Sequence, residues 1–129
     1  TALMEAARSN QNPDVITALL KAGADIKEQD TVWGATPLIY AAGFNTNPEM
    51  ITALLKAGAD INGRIKTGQT PLMVAAEFNT NPEVILAMLK AGANAKAKDN
   101  QRNTAFGYAQ TNEKLKGTDA YQKLKDAQK

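Results

Sequence analysis

The sequence predicts an all-α fold, a solenoid of helix-turn-helix pairs joined by β-turn or hairpin-like loops. Three observations predict it. Two sequence markers recur in step at a spacing of 34 or 35 residues. Each unit carries start and stop signals for two helices, and the apolar residues between those signals fall at helical spacing.

The first marker is Thr36-Pro37-Leu38-Ile39-Tyr40-Ala41-Ala42, which returns as Thr70-Pro71-Leu72-Met73-Val74-Ala75-Ala76. It is preceded by Thr1-Ala2-Leu3-Met4-Glu5-Ala6-Ala7 and followed by Thr104-Ala105-Phe106-Gly107-Tyr108-Ala109. The second marker is Ala22-Gly23-Ala24-Asp25, then Ala57-Gly58-Ala59-Asp60, then Ala91-Gly92-Ala93-Asn94. Two unrelated markers do not share one period by accident. They divide the chain into units of about 1–35, 36–69 and 70–103 with a shorter unit at 104–129, within one domain spanning 1–129. The first marker begins at residue 1 itself, in mid-pattern, so a truncation at the N-terminus is expected.

The first helix of each unit opens on Thr, a residue whose hydroxyl accepts from free N–H groups at a helix start; Pro37 and Pro71 follow, where no N–H is needed. The second opens on Asn12-Pro13-Asp14, Asn47-Pro48-Glu49 and Asn81-Pro82-Glu83, with an acid facing the positive end of the helix dipole. It closes on Lys21, Lys56 and Lys90, each followed by a glycine (Gly23, Gly58, Gly92) suited to a left-handed termination. Between the signals, Ile16, Leu19 and Leu20 sit at i, i+3 and i+4, as do Ile51, Leu54, Leu55 and Ile85, Met88, Leu89. One such stripe cannot bury itself, so the pairs must stack on one another, and the paired alanines allow close approach. In the fourth unit Tyr121 and Leu124 take the places of Ile51 and Leu54, but Lys125 replaces Leu55. That is the change expected of a capping unit.

Thr-Pro-Leu-x-x-Ala-Ala, Leu-Leu-x-Ala-Gly-Ala-Asp and the period together resemble the ankyrin repeat family. The Asn-Pro-Glu openings and the Lys-rich last unit are similar to bacterial members. The sequence departs from the family in two ways. Met4, Ile39, Met73 and Gly107 stand where the family places a histidine, and one extra residue lies between the helices of a pair, in segments such as Phe44-Asn45-Thr46-Asn47. The resemblance implies a non-catalytic scaffold, a monomer that binds another protein without a cofactor. The alternative is a structural or regulatory segment of a larger protein whose activity lies elsewhere.

Composition supports binding over chemistry. The chain has 129 residues, 43% hydrophobic but only 5% aromatic, so its core is built from Ala, Leu, Ile and Met. There is no histidine and no cysteine, which removes zinc sites, thiol catalysis and acyl-transfer triads; Ser9 is the sole serine. No glycine-rich phosphate loop is present. The acids of Asp25 to Asp30 and of Asp60-Ile61-Asn62 lack calcium-loop spacing and read as turn and solvent residues. No segment approaches the ~20 apolar residues of a membrane span. The net charge of +2 divides into −3 over residues 1–89 and +5 over 90–129. No aromatics interleave with the terminal lysines, so nucleic-acid binding is not expected.

In the family the turns between repeats and the ends of the first helices face a partner. The resemblance therefore points to Val32, Trp33 and Ala35 in the first turn, Lys66, Thr67 and Gln69 in the second, and Asn100, Gln101 and Asn103 in the third. From the first helices it adds Phe44, Glu77 and Phe78, beside Gly43, Arg8 and Ser9. Trp33, the only tryptophan, is the foremost anchor. Phe44 and Phe78 recur with the period, which favours packing between helices, and Tyr40 and Tyr108 share one register with Val74, which favours core or rim packing.

Overall fold

The computed structural model describes all 129 residues as eight helices and no strands. They are α1 (Ala2–Ser9), α2 (Asp14–Lys21), α3 (Pro37–Phe44), α4 (Pro48–Lys56), α5 (Pro71–Phe78), α6 (Pro82–Lys90), α7 (Ala105–Ala109) and α8 (Asp119–Ala127). Each odd-numbered helix pairs with the next. The odd helices stack in the order α1, α3, α5, α7; behind them α4 packs on α6 and α6 on α8. One hydrophobic interior of 23 buried residues runs from Leu3 to Leu124 through all four pairs, so the apolar stripes of neighbouring units share a single core.

The helix boundaries follow the chemistry read from the sequence. The hydroxyls of Thr1, Thr36, Thr70 and Thr104 accept from the backbone N–H three residues on, at 3.2 to 3.4 Å. Asn47 and Asn81 accept from the N–H of Glu49 and Glu83 at 3.0 Å. Asn12 accepts likewise from Asp14, although α2 starts one residue later than the proline pattern suggests. At the far ends, Gly23, Gly58 and Gly92 have φ near +100°, and the N–H beyond each reaches back to the carbonyl of Leu19, Leu54 or Met88. In α8, Leu124 is buried and Lys125 exposed, so this pair turns a polar face outward.

One residue of the segment between the helices has a role that the sequence pattern did not disclose. Asn45, Asn79 and Asn112, at the same place in successive units, are buried. The Asn79 side-chain amide donates to the carbonyls of Ala42 and Asn45 in the preceding unit at 2.8 and 2.9 Å, while its oxygen accepts from the N–H of Asn81. Asn45 does the same to Ala7 and Asn10, and Asn112 to Ala76 and Asn79. These amides satisfy carbonyls orphaned at the helix ends and stitch each unit to the one before.

Candidate functional site

The turns between units line up side by side. Each closes on a backbone pair: Asp30 to Ala35, Ile65 to Gln69 and Asp99 to Asn103, at 2.9 to 3.0 Å. Adjacent turns join through Lys66 N–H to the Trp33 carbonyl and Asn100 N–H to the Thr67 carbonyl. Gly68 is obligatory at its turn: φ is +83°, and a Cβ there would stand 2.5 Å from the Asn100 side-chain oxygen.

Two of the three turns are clasped in one way and the middle one in another. Asp30 accepts from the N–H of Trp33, Gly34 and Ala35, and the Tyr40 hydroxyl donates to its second oxygen. Asp99 likewise accepts from Gln101 and Asn103 N–H and from the Tyr108 hydroxyl. Burial alone pushes each carboxyl up, but the tyrosine and backbone donors together outweigh it and hold both below the ordinary carboxylate value. The hydrogen bond to Asp30, then burial, raises Tyr40, whereas burial first and Asp99 second push Tyr108 up to about 12. In the middle unit Ile65, whose N–H closes the turn as those of Asp30 and Asp99 do, stands in place of the aspartate, and Val74 in place of the tyrosine. The Arg64 guanidinium instead donates to the carbonyls of Gly68 and Lys98.

Loss of that tyrosine leaves a groove of about 570 Å³ over the middle of the array. Ala35, Ile39 and Val74, a small buried cluster, form its floor. Trp33, Phe44 and Phe78 wall it, 56%, 47% and 50% exposed. The Phe44 and Phe78 rings stack at 5.6 Å between centres, and the Arg8 guanidinium lies 5.5 Å over Phe44. The recurrence of these phenylalanines thus reflects packing, but on the surface rather than in the core. A second, polar hollow of about 500 Å³ adjoins it and shares Gln69 and Glu77 with it; Lys66, Thr67, Asn100 and Gln101 line it with Asp99 and Tyr108.

The structure therefore brings ten of the twelve sequence-derived positions to two adjoining hollows. Ala35, 3% exposed, contributes floor rather than a contact side chain. Val32, 67% exposed, and Asn103, whose backbone closes the third turn, line neither. Ile39, Ile65 and Val74 were not legible as lining residues. Their signal was the joint departure of Ile65 and Val74 from the Asp–Tyr pairing of the flanking units.

No three potential metal-binding side chains converge anywhere, and no helix is long and apolar enough to cross a membrane. No curated protein matches the chain. A family model described as Ankyrin repeats (3 copies) matches residues 3–99. Members of that family are in general protein-protein interaction modules and typically non-catalytic. With three-quarters of its length matched and its helix pairs stacked on one shared core, this chain belongs to the ankyrin repeat family.

Proposed function

We propose that this chain is a non-catalytic interaction module that grips another protein in the groove walled by Trp33, Phe44 and Phe78. The observation carrying this reading is where the exposed apolar surface lies. Only four large hydrophobic side chains are exposed, and three of them line this one groove. Aromatic side chains left in water around a preformed hollow carry binding energy when a partner dries them. The adjoining polar hollow supplies hydrogen-bonding groups at the rim. Residues 104–129, with Lys125 outward, serve in this reading as the unit that closes the hydrophobic interior.

Capture from source lysate tests the proposal with wild type, Trp33→Ala and Lys56→Ala, the last altering the opposite face. Wild type and Lys56→Ala retain the same partner and Trp33→Ala loses it, while thermal unfolding of Trp33→Ala stays within about 0.5 kcal/mol of wild type, as for exposed positions. A partner held equally by Trp33→Ala rejects the groove. A loss of about 2 kcal/mol or more in stability would make the indole a packing residue instead.

A further inference from the structure

The groove carries opposite charges at its two ends. Arg8, from α1, closes one end with its guanidinium over Phe44. Glu77, from α5, closes the other, with one carboxylate oxygen taken by the Gln69 amide at 3.0 Å. The four ion pairs of the molecule leave Glu77 without a cationic partner. The one ionic neighbour of Arg8 is the largely exposed Glu5 at 4.0 Å, which does not line the groove. The other charged groups nearby are engaged: Lys66 donates to the Thr31 carbonyl, and Asp30 and Asp99 accept from their tyrosines.

The floor between these ends is sealed. Gly43 and Val74 meet so closely that a Cβ on residue 43 would sit 2.8 Å from a Val74 methyl. Val74 is the small residue of a register that holds tyrosine in the flanking units, so the space above it is open to an occupant.

We propose that the occupant is a linear segment of a protein partner that presents, on one face, an acidic, a bulky apolar and a basic side chain in that order. The acid pairs with Arg8, the apolar residue rests over Val74 between Trp33 and Phe78, and the base pairs with Glu77. This rests on the reading of the groove as the binding face. The two ring distances put the Arg8 guanidinium within about 11 Å of the Phe78 ring, and alternate residues of an extended chain, roughly 6.6 Å apart, span about 13 Å over three positions. An arginine at the basic position also gains the face of Phe78, as Arg8 already gains that of Phe44.

A random-peptide display library, panned on wild type, Arg8→Glu, Glu77→Lys and Trp33→Ala, tests both levels. Wild type enriches acid, apolar and base at alternate positions. Arg8→Glu exchanges the acid for a base, and Glu77→Lys exchanges the base for an acid. Each charge reversal weakens a wild-type-selected peptide about threefold to tenfold by fluorescence polarisation. Trp33→Ala abolishes enrichment, and matching circular dichroism melts establish that the charge variants fold. Apolar-anchored peptides whose charge preference is absent, or unmoved by the reversals, overturn the charge pattern and leave the groove standing. Peptides enriched equally by Trp33→Ala overturn the groove reading itself, and no enrichment on wild type overturns both.

Discussion

A single pair of side chains shows how the turns between units keep their shape. The Tyr108 hydroxyl donates to Asp99, whose other oxygen already holds two backbone N–H groups of the third turn. Each partner favours the other's neutral-plus-ionised combination. Asp99 is held low, so its contribution to stability is complete above the unfolded carboxylate value near 4 and fades as pH falls through the lowered value. Tyr108 is raised to about 12, so its contribution is complete below an unfolded value of about 10 and fades as pH climbs toward 12. The clasp is therefore at full strength across neutral pH. Tyr108→Phe should cost about 1.5–3 kcal/mol at pH 7, the range for a hydrogen bond to a charged group. Urea unfolding at pH 7 and again between about 10 and 12 checks this, because the gap between variant and wild type must shrink as the alkaline limit is approached. No gap at pH 7 would place the stabilisation in ring packing instead of the hydroxyl.

At the scale of helices, legibility divided along physical lines. Caps, terminating glycines and apolar stripes were readable because each acts within a few residues of itself: Thr36 on Ile39, Asn47 on Glu49, Gly58 after Leu54 and Leu55. The asparagine ladder was not, although Asn45, Asn79 and Asn112 recur visibly, because its bonds reach 33 to 38 residues back to carbonyls that only stacking brings near. The groove was half legible for the same reason. Trp33, Phe44 and Phe78 announce themselves by type and register, whereas Val74 matters by being smaller than Tyr40 and Tyr108, which means something only once the units lie side by side. The ladder should nonetheless be costly to break. Asn79→Ala strands the carbonyls of Ala42 and Asn45 and the N–H of Asn81, and at about 1–3 kcal/mol for each buried unpaired group, offset by partial relaxation, we expect a loss of about 3 kcal/mol. Asn79→Asp should fare no better despite its similar shape, since it aims a carboxylate at two carbonyl oxygens. A cost below about 1 kcal/mol for Asn79→Ala in urea would mean that apolar contact alone joins the units.

Across the whole molecule, cohesion and recognition rest on different forces. Every ion pair is local, spanning three or four residues, with both side chains well exposed: Arg8–Glu5, Lys116–Glu113, Lys123–Asp119 and Lys129–Asp126. Pairs of this kind contribute at most about 1 kcal/mol, and none ties one unit to the next. What does tie them is the shared apolar interior, the amide ladder and the hydrogen bonds between adjacent turns, which salt screens little. The charge asymmetry between residues 1–89 and 90–129 acts only at long range and is screened early. Raising sodium chloride from about 0.1 to about 1 M shortens the screening length from about 10 to about 3 Å. The thermal midpoint should then move by less than about 3 °C, equivalent to under about 1 kcal/mol in a domain of this size. Peptides held between Arg8 and Glu77 should weaken severalfold over the same range, because their charged contacts lie at the solvent edge of the groove. A melt that falls by more than about 5 °C in salt would assign inter-unit cohesion to charge. Melting and binding that decline in parallel would show the two forces to be one.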